Sequence, residues 1–223
     1  MLAIIQARMS SRRLPGKMLK PLAGIPMLKR VADRVGSAAG VTKVVLATSQ
    51  DSSDDAIADY CTQTGITCHR GPLDDVAARF IGAARAETAN AFVRITGDSP
   101  FIDPALIGHA VHLYASGDWD LVSNVLERSF PIGQSVEVLR LSAFEAAQAQ
   151  ISDPLHREHV TQYYYANPGK FRIQGFTGGD DAAAVQLSVD TPEDFAAAAV
   201  LIERSGGTPG GWRELAAIKR NLV

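Results

Sequence analysis

The chain is expected to fold as an α/β protein around a mostly parallel sheet, because short β-branched runs alternate with amphipathic stretches. A second observation agrees: a polar loop leaves the carboxyl end of the first run, where open α/β sheets bind their ligands. Residues 2–5 are apolar without helical period and read as a buried first strand, followed by the loop 6–17. Pro26 opens an amphipathic stretch with Met27, Leu28, Val31 and Val35 on one face, and residues 43–47 (KVVLA) form the next strand. Helix is expected over 54–64 and over the alanine-rich 74–88, then strand over 91–96 (AFVRIT). Asp103 suits an N-cap and Pro104 a first helical position, since proline lacks only a donor that would be orphaned there, so a helix to residue 114 follows. After a strand over 121–125 the alternation breaks. Strand over 135–139, helices over 141–150 and 155–166, and strand over 171–176 read as a mixed insert, between about residues 126 and 180, that serves as a lid or dimer arm. Strand is expected again over 185–189, a capping-box helix from Thr191 to Arg204, and a last helix over 212–221.

Length and composition bound the function. A chain of 223 residues corresponds to one large domain at the usual scale of about 150 residues per domain. With 46% hydrophobic and 21% charged residues it is neither disordered, collagenous nor coiled coil. The 22 basic and 24 acidic residues give no global field for nucleic acid or an anionic membrane, so an anion must meet a local cluster. Cys61 and Cys68 have neither redox-pair nor metal-knuckle spacing and are expected as packed, reduced thiols. The apolar start reaches Arg8 too soon for a signal peptide, and no stretch approaches the roughly 20 apolar residues of a membrane span, so a cytoplasmic location is expected.

That local cluster is the loop after the first strand. Arg8, Arg12, Arg13 and Lys17 lie within ten residues, with Ser10, Ser11 and Gly16 between them. Like charges so close repel unless an anion joins them, and a polyphosphate is the obvious guest; a solvated basic loop is the plainer reading. The loop is not a Walker A sequence, because Met18 follows Lys17 where Ser or Thr is required. It is not a dinucleotide-binding fingerprint either, and the glycines at 206, 207, 210 and 211 follow a helix.

The string from Gln6 to Lys17, QARMSSRRLPGK, resembles the opening signature of the cytidylyltransferases that make CMP-activated sugar acids, the acylneuraminate and 3-deoxy-manno-octulosonate cytidylyltransferases. Within that family it is most similar to the spore-coat polysaccharide biosynthesis members. One departure is Arg12, at the second hydroxyl position of the usual pattern. The resemblance implies a three-layer sheet of the nucleotide-diphospho-sugar transferase type (GT-A-like), and transfer of CMP from CTP to a sugar acid with release of pyrophosphate. It also implies Mg2+ as cofactor, a homodimer, and a role in surface polysaccharide biosynthesis. Arg8, Arg13 and Lys17 would be catalytic through the phosphates, and Gln6, Ala7, Ser11, Thr96 and Gly97 would complete the nucleotide site with them. Nucleotidyl transfer needs the charge on phosphate oxygens neutralised, and carboxylate-held magnesium is the usual solution. Asp98, in RITGDSPFIDP, and Asp190, in SVDTPED, match the family's metal-binding aspartates. The plainer reading is that each precedes a helix, although Asp103 is the better cap and Glu193 and Asp194 are first-turn acids.

Thr48, Ser49 and Arg70 match weaker segments that would hold the base, while Arg79 reads equally well as a nucleotide contact or a helix-surface ion pair. In the insert, Gly133 and Glu137 of the P-x-G-x-x-x-E string, and Arg157, Glu158 and His159 of HREHVT, resemble the family's acceptor segments. An arginine fork matches a sugar carboxylate in two bonds. His156 and His159 lack the order of a zinc protease motif. Two rivals stand beside this reading. One is a nucleotide-sugar-dependent glycosyltransferase using Asp118-Trp119-Asp120, which precedes a strand and leaves the basic loop unexplained; the other is a non-catalytic nucleotide or sugar sensor.

Overall fold

The computed structural model describes residues 1–151, 160–179 and 182–222. Strand β1 (Leu2–Gln6) is buried over its first four residues, and its side chains alternate between two cores. Ala3 and Ile5 enter one cluster, Leu2 and Ile4 the other, as the two-residue period of a strand requires. The first core is completed by α1 (Met27–Gly36), α2 (Asp55–Thr64), α4 (Pro104–Ala115), α7 (Pro192–Arg204) and α8 (Trp212–Arg220). The second holds α3 (Val76–Ala86), α5 (Leu141–Ala149) and α6 (Gln162–Ala166). Helices on both faces of one sheet make the expected three layers. Burying a side chain such as Ile4 or Ile5 completely contributes about 1.5–3 kcal/mol, so continuous apolar runs at the sheet centre carry much of the stability.

Parallel strands β4 (Lys43–Ser49) and β6 (Ala91–Thr96) flank β1, and β5 (Thr67–Gly71) lies outside β4. On the other side, β8 (Glu137–Arg140) pairs antiparallel with both β6 and β7 (Leu121–Ser123), and β9 (Ile173–Gly175) pairs parallel with β7. The order is β5-β4-β1-β6-β8-β7-β9, with a separate two-stranded ribbon of β2 (Pro21–Leu22) and β3 (Ile25–Pro26). The mixed segment after residue 126 thus contributes two strands to the main sheet. Among the described residues no helix is long and apolar enough to cross a membrane.

Two expectations differ from the structure. Strand β5 is absent from the sequence reading because Thr67, Cys68, His69 and Arg70 offer no apolar run at this sheet edge. The strand expected over 185–189 is instead an extended connection whose bridge joins Ile132 to Gln186. Its amides are already used: those of Leu187 and Ser188 donate to the Ile132 carbonyl at 2.9 and 3.0 Å, and that of Val189 to the Asp98 carbonyl at 2.8 Å. Of the helix expected over 155–166, residues 155–159 lie outside the described residues.

Candidate active site

The chain leaves β1 in one direction to β4 and later returns on its other side as β6, so the crevice beyond Gln6 and Thr96 is the topological switch point of the sheet. A cleft of about 1010 Å³ opens there. Six cations face it, Arg8, Arg12, Arg13, Lys17, Arg79 and Arg94, against three aspartates, Asp74, Asp98 and Asp190. This excess of positive charge suits a polyanion.

The basic loop is a built structure. The amides of Ser11 and Gly16 both donate to the Met9 carbonyl, at 2.9 and 3.1 Å, and Gly16 takes φ +73°, which favours glycine. Leu14 and Met18 are buried in the first core and anchor the loop from below. Asp54, fully buried, anchors it from the side: its carboxylate accepts from the Met9 amide at 2.6 Å, the Ser49 amide at 3.1 Å and the Ser49 hydroxyl at 2.5 Å. Asp54 was legible only as the start of a helix. Nothing in its spacing announces a contact with residue 9.

Lys17 is only 4% exposed, a costly position for an ammonium without partners. Its Nζ donates to the Val189 carbonyl at 2.7 Å and to Asp190 Oδ1 at 3.0 Å, and Arg13 reaches the same oxygen at 3.2 Å. Asp98 arrives from the end of β6. Gly97 lets it do so: its amide donates to the Gln6 carbonyl at 2.9 Å, and a Cβ there would stand 2.9 Å from that oxygen. The Val189–Asp98 backbone bond then brings the two aspartate segments together. Neither carboxylate is occupied with capping, because Asp103 caps α4 through the Ala105 amide and Thr191 with Asp194 form the capping box of α7.

Of the residues singled out in the sequence, Gln6, Ala7, Arg8, Ser11, Arg13, Lys17, Thr96, Gly97, Asp98 and Asp190 all line the cleft. Thr48, Ser49 and Arg70 do not. Ser49 is committed to Asp54, Thr48 is fully buried, and Arg70 clamps the loop after β4 through the carbonyls of Ser49 and Asp51 and the carboxylate of Asp55. Gly133 is also outside the cleft lining. With φ +94°, its Cα packs so closely on residues 187–188 that a Cβ would meet the Ser188 nitrogen at 2.6 Å. It therefore sets the path of the segment that carries Asp190. Glu137 is buried behind the wall, paired with Arg94 at 2.5 Å and accepting from the Tyr165 hydroxyl. Arg157, Glu158 and His159 lie outside the described residues.

Two wall residues escaped the sequence reading or were left open by it. Arg94 is one. Arg79 is the other: it is buried, not a surface ion pair, and its Nη1 donates to the carbonyls of Pro72 and Leu73, both at 2.7 Å. Burial, and next the charge of Arg8, push its guanidinium below the ordinary arginine value. The rival Asp118-Trp119-Asp120 string is used elsewhere, because both carboxylates pair with Arg140 and Arg172 at the far edge of the sheet. Cys61 and Cys68 are free thiols, as expected.

Comparison with known proteins agrees with this geometry. The "Spore coat polysaccharide biosynthesis protein SpsF" of Bacillus subtilis (strain 168) is 32% identical over 217 residues, which is 93% of this chain and 88% of that protein. A 3-deoxy-manno-octulosonate cytidylyltransferase of Solibacter usitatus is 38% identical over 112 residues, 49% of this chain and 43% of that one. The structure of a cytidylyltransferase from Leptospira borgpetersenii superposes with a TM-score of 0.91 at 28% identity, covering 99% of this chain and 94% of its own. The sequence pattern of the cytidylyltransferases matches residues 2–204, and the chain belongs to that family.

Proposed function

We propose that the protein is a magnesium-dependent cytidylyltransferase that transfers CMP from CTP to the hydroxyl of a sugar acid, releasing pyrophosphate, in the synthesis of a surface polysaccharide. The observation that carries this reading is the meeting of the basic loop with Asp98 and Asp190 in one cleft, where six cations face three aspartates and leave an excess of positive charge for a polyanion. The names of the relatives support the nucleotide and the polysaccharide setting.

In this reading Arg8, Arg13 and Lys17 hold the triphosphate and offset its charge, so that the acceptor hydroxyl approaches the α-phosphorus with less repulsion. A bond forms from that oxygen to phosphorus, the bond to the β-phosphate bridging oxygen breaks, and pyrophosphate leaves with the proton balance completed by solvent. Fixed donors from a packed loop are the useful kind, because they need no reorganisation as charge shifts. Asp98 and Asp190 fit Mg2+, which prefers one or two carboxylates with phosphate oxygens and water to an all-protein cage; no group of three ligand side chains occurs among the described residues. When bound, the ion would neutralise charge on the phosphates.

The test is incubation with each of the four nucleoside triphosphates, magnesium and a panel of keto-sugar acids, reading pyrophosphate and product mass. Pyrophosphate with CTP and one acceptor, and a product heavier by a cytidylyl group, is expected. CTP binding with no turnover across the panel would make the protein a sensor, and transfer from a preformed nucleotide sugar without pyrophosphate would make it a glycosyltransferase.

A further inference from the structure

The wall of the cleft away from the basic loop is a polar belt across neighbouring strands. Arg94 of β6 stands directly opposite Glu137 of β8, and Glu137 opposite Ser123 of β7. Side chains link them in sequence: Val125 amide to Ser123 Oγ at 3.0 Å, Ser123 to the Tyr165 hydroxyl at 2.7 Å, Tyr165 to Glu137, Glu137 to Arg94, and Arg94 Nη2 to Gln6 Oε1 at 3.1 Å. Of these, only Arg94 and Gln6 face the cleft.

Stability does not explain this belt. The same face of the sheet is otherwise apolar, with Phe80, Phe92, Leu139 and Phe144 fully buried, and the Arg94 guanidinium sits 5.8 Å from the Phe80 ring centre. A buried ion pair there costs desolvation that packed hydrophobic residues would avoid. The arginine is also incompletely satisfied: its Nε is buried and has no hydrogen-bond partner among the described residues. Such an arrangement is retained where a rigid arginine is needed. Glu137, 2% exposed and accepting from two donors, fixes the guanidinium, and Tyr165 stays a neutral donor because burial and the Glu137 charge raise its pKa.

Charge decides what the belt can recognise. Arg94 carries its own counter-ion at 2.5 Å on the side away from the cleft, so the pair presents N–H donors without net charge. Phosphates are better served by the basic loop. Arg94 donors beside the Gln6 amide and the Thr96 hydroxyl match a neutral polyol, which both donates and accepts.

Resting on the function proposed above, we infer that Arg94 is a specificity-determining residue that reads hydroxyl groups of the acceptor sugar, with Glu137 and Tyr165 as the residues that position it. The test uses the keto-sugar acid turned over fastest by the wild type and its mono-deoxy analogues. Arg94→Lys keeps a charge for Glu137 and loses the planar fork; the paired change R94M/E137M removes both charges and guards against a folding failure caused by a lone buried carboxylate. The wild type is expected to prefer the parent over at least one deoxy analogue by about 10- to 100-fold in kcat/KM, the range of a hydrogen bond to a charged group. In both variants that ratio is expected to fall below about threefold, with the KM for CTP unchanged within about twofold. An equal loss for parent and all analogues overturns the inference, since it marks a carboxylate contact or a purely structural role, and so does a rise in the KM for CTP, which would place Arg94 with the phosphates. A wild type that binds CTP but turns over no acceptor would instead sink the proposed function, and the inference with it.

Discussion

Lys17 and Asp190 meet across 173 positions of sequence, Nζ to Oδ1 at 3.0 Å, and the same ammonium donates to the Val189 carbonyl at 2.7 Å. One buried lysine therefore joins the phosphate loop to the segment that supplies the second aspartate. Replacing it as Lys17→Met is expected to weaken CTP binding by about 10- to 100-fold, the effect of losing one charged donor. It should also lower the melting temperature by several degrees, because about 1 kcal/mol corresponds to roughly 2–4 °C in a chain of this size. Calorimetric titration of CTP and a thermal melt measure both, and unchanged CTP affinity would separate the loop from the nucleotide.

Asp54 holds the loop without facing the cleft. In Asp54→Asn an amide N–H₂ would oppose one of the three donors that now point at the carboxylate, from Met9 and Ser49. The expected cost is about 1–3 kcal/mol in stability. Because the basic loop would loosen, the KM for CTP should rise more than kcat falls. A denaturant titration and steady-state kinetics distinguish this from a simple loss of folded protein, which lowers apparent kcat and leaves KM alone.

Gly133→Ala should displace the chain beneath Asp190. The new Cβ would sit 2.6 Å from the Ser188 nitrogen at a backbone of φ +94°, whereas Gly179→Ala, at φ +74°, meets nothing within 4 Å. The first is expected to cost about 1–3 kcal/mol and to reduce kcat, and the second about 1 kcal/mol with no kinetic effect. Equal behaviour of the two variants would show that the close approach at Gly133 does not matter.

Hydrogen bonds from Arg172 hold the Asp120 carboxyl below the usual carboxylate range. A folded pKa below the unfolded one stabilises the protein above the unfolded value of about 3.9, and that contribution is lost as pH falls through the folded value. Asp120→Asn should therefore be less stable than wild type near pH 7, with the gap narrowing below about pH 4 in urea titrations across pH. Since Asp118 pairs with the same arginines outside the cleft, Asp118→Asn should leave pyrophosphate release within about twofold. A large kinetic loss in that variant would revive the glycosyltransferase reading.

Much of this architecture was legible where residue type dictates local structure. The buried runs of β1 and β6, the Asp103-Pro104 cap and the Thr191 capping box follow from period and backbone chemistry, and the structure has them. The basic loop was legible because four cations crowded beyond a strand end repel one another until an anion joins them. What local sequence could not show is who meets whom. Ser49 looks like a nucleotide contact until Asp54 takes its hydroxyl, and Glu137 looks like a ligand contact until Arg94 is found in front of it. The polar edge strand β5 and the extended segment before Asp190 were misread for a related reason: their pairing is set by tertiary neighbours, not by hydrophobic pattern.

The most direct test of the central claim is pyrophosphate release from CTP, with magnesium and the best acceptor, by Asp98→Asn against wild type. Asp98 lines the cleft at the end of β6, and its carbonyl anchors Val189 through the backbone, so the side chain can be changed without cutting that link. The expected result is a fall in kcat of about 10²- to 10³-fold, the range for removing one electrostatic group at a reacting centre, with an unchanged melting temperature. Release within about threefold of wild type, from a folded variant, would contradict the account.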